Sequence, residues 1–426
     1  MRNCRIIHFV AMAAVCVAML FEAREAAAAE QKKIQFLTMQ LQPEFDSYIN
    51  DLIARYEKSH SDVKVEWLDY PAQDYEKKLL FNFMGQNAPD VINVNFFYGV
   101  RFAQRKVLLD LKDYTTSAQL SRYFPRMLTK GCSYRGEVFG LPWYLSTDMM
   151  MYNKEIFKQA GLDPDKPPHT NQEMVEYARV IKEKTGIFGF LNTMTEEGTL
   201  KGFLCEEGVE LANEEMTKSA FNTPEGVRVL KFWADVYKEG LVPREALHAT
   251  HRRPIELFKT GQIAMFQSGP QFLRLIRKDA LDIYKNVGVG PRIRGKNPEI
   301  DIAVMSLAVS KDSKHPREAV DFALFVTNGE NQLEFCKQVA IFPSVIEAAK
   351  DPYFMRGGET AEAQARKIGA EQLGFSTVWV PPLPDMSRLD EAMNEAMEKA
   401  ALGKASPEDA LTEAAKKWDA ILERAA

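Results

Sequence analysis

At 426 residues the chain is longer than one ordinary hydrophobic core serves, so two domains are expected. Hydrophobic residues make up 46% and charged residues 27%, the balance of a globular protein, neither disordered nor embedded in a membrane. A formal net charge of -5 argues against nucleic acid as the main partner, because neutralising phosphates takes a basic face and none is announced.

The first 29 residues differ from all that follow. Arg2 and Arg5 make a positive start, residues 6–21 are almost unbroken apolar sequence, and Ala27-Ala28-Ala29 offers small residues for cleavage before Glu30. This is the layout of a secretory signal peptide, residues 1–29, cleaved near Ala29. As a membrane anchor the run falls short of the ~20 residues of a spanning helix, and Cys16 lacks the approach of a lipoprotein site. Export to the periplasm is the expectation. Cleavage leaves Cys132, Cys205 and Cys336 of five cysteines, and an odd number leaves at least one free thiol. Their spacing fits neither a zinc site nor a redox pair; they read as small buried hydrophobes, with one disulfide left open.

Residues 34–40 read as a strand, and 46–60 as a helix with Ile49, Leu52, Ile53 and Tyr56 on one face. Val63, Val65 and Trp67 alternate as a strand, 75–83 is a second helix, and 90–95 (DVINVN) a third strand. This βαβαβ order implies a largely parallel sheet covered by helices. Ligands bind such sheets beyond the carboxyl ends of the strands, which makes Gln40, Gln42, Asn95 and Phe97 candidates for the mouth of a site. Residues 136–151 form a strand, a turn and a crossover, followed by helices over 153–161 and 171–184. Thr223 as cap, Pro224 in the first turn and Glu225 open a helix with Val227, Leu230, Ala234 and Tyr237 as its inner stripe. Strands are expected at 263–266, 287–289 and 302–309, and a helix at 316–326. A terminal helical pair ends with a helix capped at Ser406, its inner face Leu411, Ala414, Ala415 and Trp418.

Several stretches resemble the family 1 extracellular solute-binding proteins, the sugar- and maltodextrin-binding components of ABC importers. They are Pro89-Asp90-Val91-Ile92 with Phe102-Ala103 and Leu108-Leu109-Asp110-Leu111, then Gly140-Leu141-Pro142 with Tyr152-Asn153-Lys154 and Ala160-Gly161-Leu162. The passages 261–270 (GQIAMFQSGP), 287–291, 307–335 and 403–418 continue the match in the family's order. The resemblance implies an α/β, periplasmic-binding-protein-like fold with two lobes around a cleft. Lobe 1 would comprise 30–142 and 307–345, lobe 2 147–303 and 350–426, with crossovers near 143–147, 303–307 and 344–350. It further implies closure of the lobes around a solute, delivery to ABC permease subunits, a monomer, and neither cofactor nor catalysis. A secreted carbohydrate-active enzyme, needing two carboxyls across a cleft, and a ligand-sensing subunit are the competing expectations.

A sugar site needs planar hydrogen-bonding groups and aromatic plates. Trp143 and Tyr144 stand at the first implied crossover, against the plainer role of hinge packing. Ser146 falls where the resemblance implies a polar contact. Gln271 replaces an expected stacking tryptophan, with Phe272 beside it. Trp379 is a substitute plate or a core residue; Arg388 is an anion contact or a solvated surface charge. His248 and His251, three apart near Glu245, have metal-ligand spacing, but Arg252 and Arg253 beside them oppose a cation, so no metal is expected. Glu206, Glu207, Glu210, Glu214 and Glu215 read as a solvated acidic face, and Met149-Met150-Met151 as core. No phosphate-binding loop, dinucleotide fingerprint, nucleophile elbow or zincin motif is present.

Overall fold

The computed structural model describes residues 31–425, so the expected signal peptide lies outside the described residues. The described chain divides into two compact units. The first runs up to Ile92 and takes in Val309–Phe325; the second holds Asn93–Ala308 and the chain from Val326 onward.

In the first unit, β1 (Lys32–Met39), α1 (Asp46–Ser59), β2 (Val63–Tyr70), α2 (Tyr75–Met84) and β3 (Val91–Asn95) follow the expected alternation. β1 lies parallel to β2 over its full length, from Lys32↔Val63 to Met39↔Tyr70, and parallel to β3 at Phe36↔Val91 and Leu37↔Ile92. Ile49, Leu52, Ile53 and Tyr56 are buried, so the helical spacing of apolar residues in α1 places its inner face as read. α9 (Pro316–Val326) covers the same core, with Phe322 edge-on to Phe36 and Tyr56 at centroid distances of 5.3 and 4.9 Å.

β3 carries the chain into the second unit, where α3 (Phe96–Gln104) follows at once. The strand, turn and crossover expected over 136–151 are β4 (Leu141–Ser146), a break at Thr147-Asp148 and β5 (Met149–Asn153). Then come α4 (Asn171–Thr185), β6 (Phe188–Phe190), α5 (Leu200–Glu206), α6 (Pro224–Lys238), α7 (Arg253–Lys259), β7 (Ile263–Ser268), α8 (Phe272–Asp279), β8 (Val287–Gly290) and β9 (Ala303–Val309). α10 (Gly329–Gln338), β10 (Phe342–Pro343), α11 (Ala361–Leu373), α12 (Met386–Ala401) and α13 (Pro407–Ala425) complete it. β4 pairs antiparallel with β9 and β10, while a four-stranded sheet runs β8, β5, β7, β6. Met149, Met150 and Met151 are all fully buried on β5, an inner strand paired with β8 on one side and β7 on the other.

Thr223 accepts from Gly226 N at 3.1 Å and Ser406 from Asp409 N at 3.0 Å, so both expected caps form. The stripe of α6 is rotated from its expected position: Val229, Leu230, Trp233, Ala234 and Val236 are buried, whereas Val227 and Tyr237 flank it half-exposed. Trp233, stacked on Phe203 at 4.1 Å, is the largest apolar group of the helix and sets its face. α12 and α13 pack together, and Trp418 Nε1 donates to Leu389 O at 3.0 Å. All three described cysteines are buried and free of disulfides. No helix among the described residues is long and apolar enough to cross a membrane.

Candidate ligand-binding site

In the first unit, the loop after β1 is fixed by Asp69. Its carboxylate accepts from Thr38 Oγ1 at 2.5 Å, Leu41 N at 3.0 Å and Gln42 N at 3.2 Å. Gln40 sits at φ 56° with its N–H donating to Tyr70 O at 3.0 Å, and both Gln40 and Gln42 are exposed at the carboxyl end of β1.

In the second unit, Asn95 caps α3 by accepting from Tyr98 N at 2.8 Å, so its side-chain oxygen serves the helix. Phe97 is half-buried, with the Lys201 ammonium 5.7 Å from its ring centroid. Lys201 of α5 bonds Asp390 of α12, and the two side chains keep 3% and 8% exposure. Burial raises the Asp390 carboxyl above the usual range, while Lys201 and Arg101 pull it down. A tight turn adjoins the pair. Glu197 has φ 48° and a carboxyl raised by burial, and Gly198 at φ 68° donates its N–H to Asn394 Oδ1 at 3.1 Å. Only glycine suits that position: a Cβ would meet Asp390 Oδ1 at 2.7 Å. Glu196 in the same turn holds His251 at 3.2 Å and raises its imidazole.

His251 also lines a recess of 250 Å³. Asp148, Asn192, Thr193, Glu206, Gln267 and Arg292 supply its polar wall. Arg292 Nη1 donates to Asp148 Oδ2 at 2.9 Å, and the guanidinium lies 5.0 Å from the Trp379 ring centroid. Burial works against this charge, yet Asp148, Asp301 and Glu206 outweigh it and hold the guanidinium above its ordinary value. Burial pushes the Glu206 carboxyl up to about 7, against the pull of Arg292 and of Asn171, which donates to it. Gln372 binds the break between β4 and β5: its Nε2 donates to Thr147 Oγ1 at 2.9 Å and Asp148 O at 3.0 Å, and its Oε1 accepts from Arg292 N at 2.8 Å. Arg292 Nε and Trp379 Nε1 are buried donors with no acceptor among the described residues, and each such donor is costly until a partner arrives.

The expected residues fall into distinct roles. Trp143 is fully buried and stacked on Phe335 at 5.3 Å, so it packs the core instead of lining open space. Tyr144 is half-buried and edge-on to both rings. Ser146 Oγ donates to Gln271 Oε1 at 3.2 Å, joining two expected contacts 125 residues apart, with the half-buried Phe272 next in sequence. Trp379 is partly exposed and carries the Arg292 guanidinium on its face. Arg388 is a surface charge, 55% exposed and 3.5 Å from Asp385. Glu206 departs from the expected solvated acidic face: it is 5% exposed and directed at Arg292 and Asn171. No group of histidine, cysteine and carboxylate side chains among the described residues is arranged to hold a metal. Lys201, Asp390, Arg292 and Gln372 went unread. The signal was present for Lys201 and Glu206, which sit in an otherwise apolar helix (LKGFLCE), and for Asp390, which follows Leu389 on the buried side of α12.

A model described as bacterial extracellular solute-binding protein matches residues 51–362. The sn-glycerol-3-phosphate-binding periplasmic protein of Pectobacterium atrosepticum is 26% identical over 98% of this chain and 97% of its own. The galactooligosaccharide-binding protein of Bacillus subtilis is 25% identical over 86% and 85%. Among solved structures, a periplasmic-binding protein from Synechococcus sp. MITs9220, provisionally assigned to oligosaccharides, superposes with a TM-score of 0.82 at 32% identity, covering 92% of this chain and 99% of that one.

Proposed function

The chain belongs to the bacterial extracellular solute-binding protein family, and from that premise we propose that it captures a carbohydrate or related polar solute and hands it to the permease of an ABC importer. It is a binding protein, not an enzyme, and it works outside the cytoplasm. The observation that carries the solute class is the 250 Å³ recess, whose wall mixes amide and hydroxyl groups with Arg292, Asp148 and Glu206. Hydroxyl-rich solutes present donors and acceptors around their whole edge, and such a wall offers both. In the second unit, the Ser146–Gln271 pair, Tyr144, Phe97 and Trp379 are the further contacts in this reading.

Residues 1–29 direct export and are removed near Ala29, leaving a monomer in the periplasm. Capture works by hinge closure of two lobes at the crossovers 143–147, 303–307 and 344–350, and solute contacts made only when closed shift the population that way. The names of the relatives, one binding a polyol phosphate and one an oligosaccharide, support a polar, hydroxylated solute. A thermal-melting screen of ligand-stripped protein against mono- and oligosaccharides, uronates and polyols tests this. A true ligand at a hundredfold excess over Kd adds roughly 2.7 kcal/mol of stability; a flat response to the whole panel contradicts the reading.

A further inference from the structure

A second recess in the second unit, 190 Å³ in volume, differs from the first in its charge. It is lined by Gln271, whose side chain bonds Ser146, and Ser268 three residues earlier lines the first recess. Arg274 and Arg277 of α8, Lys337 of α10 and Arg366 of α11 line it, against Glu362 alone: four cations to one carboxylate. The Tyr284 hydroxyl bonds one oxygen of that carboxylate, and the other, Oε1, lies 3.0 Å from Arg277 as an ion pair without a well-formed hydrogen bond.

Arg366 is the informative member. Its guanidinium carbon sits over Tyr353, 4.2 Å from the ring centroid, and its Nη2 donates to Arg356 O at 3.0 Å. The Nε is buried and has no acceptor among the described residues. The aromatic face and the backbone carbonyl hold the guanidinium in place at the wall of the recess. Lys337, which also pairs with Asp351 at 3.4 Å, adds a second cation 5.7 Å from the same ring. A guanidinium held in place in a cationic pocket matches an oxyanion, whose charge strengthens each hydrogen bond it accepts.

We propose that this recess receives an acidic substituent, a carboxylate or a phosphate, on a solute whose hydroxylated part lies beside Ser146 and Gln271. The inference rests on the solute-binding reading above and narrows it to anionic solutes. It also relocates the anion contact expected at Arg388, whose charge is spent on the surface with Asp385.

Titration calorimetry on ligand-stripped protein tests it with two matched pairs, galacturonate against galactose and sn-glycerol 3-phosphate against glycerol. In at least one pair the acid binds about tenfold or more tightly than its neutral partner, and the pair that shows it names the source of the oxyanion. Arg366→Gln abolishes that preference while leaving affinity for a neutral ligand and the melting temperature near wild type; Arg366→Lys restores part of it. Should Arg366→Gln fold poorly, Arg274→Gln on the exposed face of α8 is the second variant, with the same expected loss of preference. Equal binding of acid and neutral members overturns the proposal and leaves the solute-binding reading intact, as does equal weakening of both by Arg366→Gln. Failure of every acid, sugar and polyol to bind wild-type protein overturns both.

Discussion

Glu206 occupies the last turn of α5 with 5% of its surface exposed, and its carboxyl is raised to about 7 by burial. In the unfolded chain a glutamate titrates near 4.3. The folded state therefore holds this proton over a range where the unfolded state has lost it, and stability falls as pH rises from about 4.3 to about 7. At 1.36 kcal/mol per unit the loss is about 4 kcal/mol. Glu206→Gln keeps an acceptor for Asn171 and removes the titration. Urea unfolding is expected to find variant and wild type alike near pH 4 and the variant about 3–4 kcal/mol more stable at pH 8; a difference that does not change with pH contradicts the assignment. Trp143 and Gln271 make a contrasting pair. Trp143→Ala removes a fully buried ring stacked on Phe335 and costs about 3–5 kcal/mol with solute affinity retained. Gln271→Ala leaves stability within about 0.5 kcal/mol and weakens solute binding about tenfold. Melting curves and calorimetry on both variants check this, and the reverse pattern moves the site.

Between elements, the decisive contact is the buried ion pair of α5 and α12. Lys201 and Asp390 attract strongly in a low dielectric, but both have lost their water, so the pair adds little net stability while breaking it is expensive. Lys201→Met alone is expected to cost about 3–5 kcal/mol, and Lys201→Met with Asp390→Leu to recover most of that; additive losses in urea unfolding contradict it. This pair also shows where sequence reading stops. The caps at Thr223 and Ser406 and the apolar face of α1 are local signals, set by residues three or four apart, and they were legible. The rotated stripe of α6 was half legible, because only packing reveals that Trp233 faces Phe203. Lys201 and Asp390 stand 189 residues apart, and no periodicity within either helix announces the other. Glu206 was misread for the same reason: an acidic run looks solvated until Arg292 and Asn171 are folded against it.

Over the whole molecule, the strand–helix order through Asn95 and the ordered motifs were enough to read the fold class and family, since alternation and chain order survive divergence that erases individual site residues. The site was less legible because its polar groups come from the turn at Glu196–Gly198, α5, β7 and the chain around Arg292, each paired only after folding. The account stands on reversible capture of an unaltered polar solute by the recesses of the second unit. Titration calorimetry of ligand-stripped protein with the sugar, uronate and polyol panel tests it most directly. One saturable site per chain, with the solute recovered chemically intact, is the predicted result; no heat from any member, or heat that continues as solute is consumed, contradicts it.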